Sequence, residues 1–445
     1  MKILFISLGC DKNLADSEEM LGLLTGSGHE IVDSEEEAEA IVINTCCFIH
    51  DAKEESVNTI LEMAEYKKTG KCKALVVTGC MAQRYKEEIT QEIPEVDAVL
   101  GTTSYGDIVK ALNEVQAGHV FQEFRDINEL PEDSGRRVLT TGGHFGYLKI
   151  AEGCDKHCTY CIIPSLRGSF RSVPEERLLA QAEYMASQGV KELILVAQET
   201  TVYGTDLYGR KTLHILLKKL CQIRGIRWIR VLYCYPEEIY DELIQVMKEE
   251  KKICNYLDLP IQHASDRILK RMGRRTTRKQ LTDIITKLRR EIPDIVLRTS
   301  LITGFPGETQ EDHEELMEFV DEMEFDRLGV FTYSPEEGTP AESMEGQVQE
   351  EVKEERRDEI MSLQQEISLE KGNERIGQEL LVMIEGKVSG ESAYIGRTYA
   401  DAPKVDGYLF VQTGELLVTG DFARVRVTGA LEYDLIGELA DEYTE

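Results

Sequence analysis

The chain has 445 residues, of which 42% are hydrophobic and 30% charged. These values are typical of globular proteins, and the length predicts two to four domains. The formal net charge of −31 argues against general binding of nucleic acid; it suits a basic protein partner or serves solubility alone.

Cysteine content and apolar runs indicate the compartment. Eleven cysteines in a chain of this length do not indicate a secreted disulfide scaffold, which is short and cysteine-dense. The first residues lack the architecture of a signal peptide. No apolar run approaches the roughly 20 residues that cross a bilayer. We therefore expect a cytoplasmic, reducing location and no membrane contact.

Residues 1–117 alternate between predicted strands and helices. Continuous apolar runs, typical of buried parallel strands, lie at 2–8, 40–44, 74–78 and 98–100. Helical patterns follow the first three runs at 16–25, 52–67 and 85–91. This alternation predicts a parallel α/β sheet with helices on both faces.

Three cysteines follow the first three predicted strands by one or two residues. They are Cys10, Cys46 and Cys80, called here the N-terminal cysteine set. Because parallel strands bring their carboxyl ends to one edge, we expect these thiols to converge. Three thiols with no obvious fourth ligand suit an iron–sulfur cube with one open iron. The alternative is that small buried thiols only fill space at strand ends.

The segments around this set carry a family resemblance. They read LGCDKNLADSE at 8–18, NTCCFI at 44–49 and TGCMAQ at 78–83. Together they resemble the N-terminal domain of the methylthiotransferases, which implies that the set holds an auxiliary 4Fe-4S cluster carrying the sulfur to be inserted. The first segment is most similar to the branch that modifies a ribosomal protein. Asp11 departs from that branch, where proline is expected.

The next region, 118–139, is polar and acidic and is predicted to be a linker. Six strands are then predicted at 146–151, 192–197, 228–232, 256–260, 294–302 and 327–332. Helical stretches between them lie at 174–188, 213–223, 280–290 and 310–323. Repeated strand–helix units over 140–370 predict a TIM-type barrel, complete or open on one side, with its active site at the carboxyl ends of the strands.

A second group of thiols follows the first of these strands. Cys154, Cys158 and Cys161 form a C-x3-C-x2-C run, called here the barrel cysteine set. Three thiolates in one loop can face one soft metal centre. A structural zinc completed by His157 or by a distant cysteine is one interpretation. A 4Fe-4S cube with one open iron is the other.

With an aromatic residue directly before its last cysteine, this loop resembles the signature of the radical S-adenosylmethionine (SAM) superfamily. In that superfamily the three thiols hold the catalytic cluster and SAM binds its open iron. The resemblance implies that Tyr160 lies near the adenine of SAM and that Gln198 and Glu199 lie near its methionine amino group. It also implies that Arg298 and Gly304 lie near the ribose or the carboxylate. Further candidates at a strand end are Gln262 and His263.

The C-terminal region predicts a charged helix at 349–371 and then short alternating strands at 380–388, 408–411, 416–419 and 422–428. Residues 371–440 therefore predict a small antiparallel β-barrel. The segment 396–407 resembles a TRAM domain. Residues 371–445 hold 7 Lys and Arg against 14 Asp and Glu, a net charge of −7. Because an RNA-binding barrel needs a basic face, this barrel suits a basic protein better.

The resemblance covers nearly the whole chain and implies one activity. The implied activity is that of a radical SAM enzyme that adds a methylthio group to the β-carbon of an aspartate in small-subunit ribosomal protein twelve. The implied cofactors are two 4Fe-4S clusters and SAM. The implied partners are that ribosomal protein, free or on the ribosome, and an electron donor such as flavodoxin or ferredoxin. RNA contact is disfavoured by charge.

Two alternatives remain open from the sequence. The first is the same chemistry on a tRNA adenosine. The second is a non-catalytic metal-binding adaptor that docks ribosomes through its terminal barrel; zinc in place of iron would favour it.

Overall fold

The computed structural model of the chain describes residues 1–132, 135 and 137–444. Two six-stranded sheets and a closed five-stranded barrel follow one another along the chain. This order confirms the predicted fold class. In the described part of the chain, no helix is long and apolar enough to cross a bilayer. Residues 133, 134 and 136 of the predicted linker lie outside the described residues.

The first sheet is wholly parallel and is covered by helices. Its strands are β1 Lys2–Ser7, β2 Glu30–Val32, β3 Ala40–Thr45, β4 Ala74–Gly79, β5 Ala98–Leu100 and β6 Phe121–Glu123. Its helices are α1 Asp11–Gly26, α2 His50–Thr69, α3 Cys80–Glu92 and α4 Ile108–Gln116. The strand order β2-β1-β3-β4-β5-β6 makes β1, β3 and β4 neighbours.

Two details differ from the sequence prediction. Helices α1 and α3 begin at Asp11 and Cys80, several residues earlier than predicted. The first turns of α1 bury the polar residues Lys12, Asn13 and Asp16, which hides the helical pattern. The sheet also extends into the predicted linker, because β6 pairs with β5.

The second sheet is an open barrel with helices outside it. Its strands and those of a small ribbon are β7 Phe145–Lys149, β8 Ala151–Glu152, β9 Arg171–Ser172, β10 Glu192–Val196, β11 Trp228–Val231, β12 Ile253–Asp258, β13 Val296–Thr303 and β14 Arg327–Thr332. Its helices are α5 Ile163–Arg167, α6 Glu175–Ser187, α7 Thr205–Tyr208, α8 Leu213–Leu220, α9 Asp241–Glu249, α10 Asp266–Arg271, α11 Arg278–Glu291, α12 Gln310–Met323 and α13 Glu350–Glu374.

All six predicted barrel strands are present, in the parallel order β14-β13-β12-β11-β10-β7. Strands β7 and β14 are therefore the two edges of an open barrel. The N-terminal sheet contacts both sides of this opening. Lys149 of β7 forms an ion pair with Asp16 of α1. Beyond β14, the buried Glu336 pairs with Arg84 at 3.1 Å and with Lys53 at 3.8 Å.

The C-terminal barrel consists of β15 Glu379–Lys387, β16 Ala393–Arg397, β17 Leu409–Gln412, β18 Phe422–Ala430 and β19 Leu435–Thr444. Its order is β15-β16-β17-β19-β18; the β17–β19 pair is parallel and the other pairs are antiparallel. The strand predicted at 416–419 is wrong. That segment is a loop in which Leu416 is 89% exposed and Val418 is 65% exposed.

Buried ion pairs fix the C-terminal barrel to the open barrel. Glu192, at the start of β10, accepts hydrogen bonds from Arg230 at 2.8 Å and from Arg397 at 2.7 Å. All three side chains are fully buried. Arg397 also donates to Glu385 at 2.7 Å. The carboxylate of Glu192 therefore bridges two guanidinium groups that belong to different barrels.

Replacing Glu192 with Gln should lower the free energy of unfolding by about 3–5 kcal/mol, because it leaves buried cations without their shared carboxylate. Urea denaturation measures this loss. Asp421→Asn is the matched control, since it breaks the half-exposed Lys191–Asp421 pair and should cost less than about 1 kcal/mol. Equal losses in the two variants would contradict the prediction.

Candidate active site with two cysteine sets

The N-terminal cysteine set lies at one edge of the first sheet. Cys10 precedes α1, Cys46 directly follows β3, and Cys80 follows β4 as the first residue of α3. Because β1, β3 and β4 are adjacent, the three residues reach the same edge, as the strand pattern predicts.

A glycine allows the backbone of this set to approach closely. Gly9 has φ +86°, and a Cβ at this position would lie 2.6 Å from Cys46 Cβ and 2.8 Å from its Sγ. Burial, together with the neighbouring thiols of Cys80 and Cys10, raises the pKa of Cys46 to about 12. Burial also raises the pKa of Cys80. Binding iron as thiolates therefore requires proton release.

The barrel cysteine set occupies the loop between β8 and α5. Two backbone bonds shape it: Cys154 N–H donates to Gly168 O at 3.1 Å, and Cys161 N–H donates to Cys158 O at 3.0 Å. Thr159 N–H donates to the carbonyl of Met272, which holds the loop from outside. Burial raises the pKa of Cys154 to about 11 and that of Cys161 to about 12.

Both sets supply the donor chemistry of an iron–sulfur cluster, which is held by cysteine thiolates. Within residues 1–132, 135 and 137–440, no three His, Cys, Asp or Glu side chains stand close enough to hold one metal ion. A cube attaches each thiolate to a different iron, so its ligands stand farther apart than those of one ion. Three thiols per set fit a cube with one open iron.

One arginine connects the two sets. Arg167 ends α5, shortly after Cys161, and donates to Asp16 Oδ2 at 2.8 Å and to Asn13 Oδ1 at 3.1 Å. Its guanidinium also opposes the rise in the pKa of the Cys80 thiol. The helix that follows the barrel set is thereby attached to α1, which begins directly after Cys10.

Two predicted cofactor-binding residues follow β10 beside the barrel set. Glu199 is buried, accepts a hydrogen bond from Thr201 at 3.0 Å and lies 3.5 Å from Lys156 Nζ. Burial raises the pKa of Glu199 to about 7, although Lys156 opposes the shift. Gln198 Oε1 is buried and has no hydrogen-bond partner among the described residues. An orphaned acceptor at this place fits the polar groups of a bound cofactor.

Tyr160 and the turn after β13 lie together. The rings of Tyr160 and Phe305 make an edge-to-face contact with centroids 6.4 Å apart. Gly304 precedes that phenylalanine at φ +69°, and a Cβ there would collide with the side chain of Lys353 in α13. The turn therefore lies near the barrel set. Close packing against α13 is by itself a reason for glycine at position 304.

Arg298 of β13 contacts residues of both barrels. It donates to Asp258 at 2.7 Å, and its Nε is 3.4 Å from Asp406 of the C-terminal barrel. Two carboxylates thus engage this guanidinium where the barrels meet, and its predicted contact with SAM stays a prediction. His263 is fully buried, with Nε2 3.7 Å from Glu308.

The sequence analysis missed several groups around the barrel set. Tyr235 places its hydroxyl 3.9 Å from Cys158 Sγ, and Arg274 lies over the Tyr235 ring at 4.4 Å. Lys156 pairs with Glu238 as well as Glu199. Of these groups, only Lys156 could have been found from the sequence, because it lies between two cysteines of the loop.

Comparison with known families divides the chain into three matched parts. Residues 2–101 match the family described as uncharacterized protein family UPF0004. Residues 148–320 match the radical SAM superfamily, and residues 376–440 match the TRAM domain. These parts correspond to the first sheet, the open barrel and the C-terminal barrel.

Relatives match over almost the full length. A protein of Lachnoclostridium phytofermentans is 64% identical over 98% of this chain and 99% of its own. One from Clostridium botulinum is 50% identical over 100% of this chain and 99% of its own. Both are named ribosomal protein uS12 methylthiotransferase RimO.

The chain belongs to the RimO family of methylthiotransferases. RimO enzymes use SAM and two 4Fe-4S clusters, so the predicted enzyme class and cofactors are confirmed. Six cysteines in two sets of three are sufficient to hold two clusters, each with an open iron.

Solved structures confirm the fold of this RimO-family chain. The radical SAM methyltransferase TsrM from Kitasatospora setae has a TM-score of 0.55 at 13% identity, covering 77% of this chain and 74% of that one. The cobalamin-dependent radical SAM enzyme OxsB has a TM-score of 0.52 at 15% identity, covering 82% and 56%. At such identities the likeness concerns the fold alone.

Proposed function

We propose that this chain adds a methylthio group to the β-carbon of an aspartate in ribosomal protein uS12, the protein that its relatives' names give. The observation that carries the proposal is 64% identity over 98% of the chain to a RimO protein. The two cysteine sets, one on each side of the contact between the first sheet and the open barrel, are consistent with it.

The proposed roles of the site residues follow the two sets. The N-terminal set holds the auxiliary cluster and the barrel set holds the catalytic cluster. The proposed SAM contacts are Tyr160, Gln198, Glu199, Arg298 and Gly304. Of these, Arg298 has the weakest structural support, because Asp258 and Asp406 already bind it.

The β-carbon of an aspartate has no acidic proton, so a base in the protein cannot easily activate it. When bound, SAM and the clusters supply the radical chemistry and the sulfur. The chain holds both sets close together through Arg167, and it buries four of the six thiols, those of Cys46, Cys80, Cys154 and Cys158. Holding the reacting groups in one geometry lowers the barrier by removing the entropy of bringing them together.

Partners complete the proposal. The chain carries a net charge of −31, and its C-terminal barrel is also acidic, which favours a basic protein substrate over RNA. We propose that the enzyme acts on uS12 either as the free protein or within the ribosome. We also propose that an electron donor such as flavodoxin or ferredoxin reduces the enzyme.

Mass spectrometry of two substrates tests this function. Anaerobically reconstituted enzyme receives SAM, a reductant, and either uS12 or unmodified tRNA. A methylthio mass increment on one aspartate of uS12, and none on tRNA, is expected. An increment on tRNA alone would contradict the proposed substrate. Bound zinc without any SAM cleavage would favour the adaptor interpretation.

Gly9→Ala should remove the iron of the N-terminal set, because its Cβ would overlap Cys46. We expect iron per chain to fall by half and methylthio transfer to be lost, while SAM cleavage remains. Gly28→Ala is the matched control: Gly28 has a similar φ of +84° but no atom within 4 Å of an added Cβ. It should cost only about 1–3 kcal/mol of backbone strain and keep its iron. Equal iron in the two variants would refute the close-approach argument.

A further inference from the structure

One short segment of the open barrel reaches both cysteine sets. Tyr235, beyond β11, places its hydroxyl 3.9 Å from Cys158 Sγ of the barrel set. Two residues earlier, Tyr233 donates from its hydroxyl to Asp11 Oδ1 at 3.0 Å, and Asp11 follows Cys10 of the N-terminal set. The side chains of this segment therefore span the gap between the two sets.

A buried lysine lies in this gap. Lys12 Nζ is 3.3 Å from the centroid of the Tyr233 ring and 3.2 Å from Asp11 Oδ1. The residue is 8% exposed. Cation–π contact and one carboxylate hold the ammonium in place. An ammonium has three N–H donors, so a donor remains for a further acceptor.

The tyrosine that holds this lysine has a strained backbone. Tyr233 has φ +59°, in the left-handed region that a bulky residue rarely adopts. Its N–H donates to Asp258 Oδ2 at 3.0 Å, which fixes the strained turn. Such strain persists where the surrounding structure enforces it, and it concentrates at ligand and active sites.

Other cations near the two sets are engaged more fully. Arg167 donates to Asp16, Asn13 and Glu152. Lys156 pairs with two carboxylates, those of Glu199 and Glu238. Lys12, in contrast, has one carboxylate partner among the described residues, and that partner also accepts a hydrogen bond from Tyr233.

We propose that Lys12 binds the side-chain carboxylate of the aspartate that is modified. This inference rests on the proposed function. The β-carbon is bonded directly to the carboxyl carbon, so a cation that grips the carboxylate also fixes the β-carbon between the two cysteine sets. Asp11 and Tyr233 hold the ammonium in position. A charge-assisted hydrogen bond of this kind distinguishes aspartate from asparagine.

Binding without turnover tests this role. Reconstituted holoenzyme with SAM but no reductant is titrated anaerobically with labelled uS12 and with uS12 whose target aspartate is changed to asparagine. We expect the unchanged enzyme to prefer the aspartate form by about tenfold. Lys12→Met should reduce the preference to less than about twofold, whereas Lys12→Arg should keep most of it.

Two further variants control for folding and for the surrounding charge. Lys53→Met removes another lysine between the first sheet and the open barrel, the one that pairs with Glu336, and should keep the full preference. Tyr233→Phe keeps the ring but removes the hydroxyl that holds Asp11, and should weaken the preference in part. It tests the same contact if Lys12→Met does not fold.

A preference that survives in Lys12→Met, or that the unchanged enzyme lacks, would overturn the inference. The proposed function fails by a different result: no methylthio increment on uS12 by the unchanged enzyme. Loss of the preference in Lys12→Met, with uS12 still modified by the unchanged enzyme, supports the proposed role of Lys12 and agrees with the proposed function.

Discussion

Changing Cys154, Cys158 or Cys161 to Ala should abolish reductive cleavage of SAM. The three residues share one loop, and a cube with two thiolates loses both a ligand and its fixed orientation toward the cofactor. Production of 5′-deoxyadenosine, followed by chromatography, should fall to the level without enzyme. Methylthio transfer should disappear with it, because the hydrogen on the substrate carbon is no longer removed.

The matched control for these variants is Cys221→Ala. Cys221 is also a buried thiol of the open barrel, but it caps the end of α8 and packs in the outer core. This variant should retain SAM cleavage at nearly the unchanged rate. If any of the three loop variants still formed 5′-deoxyadenosine at that rate, the barrel set would not hold the catalytic cluster.

The triple variant Cys10→Ala, Cys46→Ala, Cys80→Ala should separate the two halves of the reaction. These residues lie at the ends of different strands of the first sheet, outside the barrel loop. We expect SAM cleavage to remain, methylthio transfer to uS12 to stop, and iron per chain to fall by half. Iron analysis, deoxyadenosine production and the mass of uS12 measure the three quantities.

Cys47→Ala is the matched control for the triple variant. Cys47 is buried next to Cys46 but packs in the core of the first sheet, and its carbonyl accepts a hydrogen bond from Arg84. The Cys47→Ala variant should keep its full iron content and its methylthio transfer activity. Unchanged iron in the triple variant would refute a second cluster at this edge. Loss of SAM cleavage would mean that the N-terminal set also supports the barrel loop, to which Arg167 connects it.

The strands of both sheets were largely predictable because buried parallel strands read as short continuous apolar runs. Runs at 40–44 and 74–78 became β3 and β4 with fully buried residues. The C-terminal barrel was harder to predict. The apolar loop residues Leu416 and Val418 imitate a strand, and neither β16 nor β19 was predicted. Alternation in a short segment does not distinguish a strand from an exposed apolar loop.

The polar residues near α1 show a second limit. In the sequence, the helical pattern after Cys10 begins only at residue 16. In the structure residues 11–15 are also helical, and Asn13 is buried because a distant segment satisfies it: its Oδ1 accepts a hydrogen bond from Arg167 at 3.1 Å. Propensity scales describe exposed helices, and tertiary contacts override them here.

The sequence by itself determined the chemistry of the protein: six thiols in two sets of three, their positions after predicted parallel strands, and the segments that resemble the methylthiotransferases. These features are local, so spacing and neighbouring residues reveal them. Only the tertiary structure decided that Arg298 lies between Asp258 and Asp406, and that Lys12 lies over Tyr233 in the gap between the sets. Contacts between residues on different elements depend on how whole elements pack, and packing leaves no periodic signal in either segment.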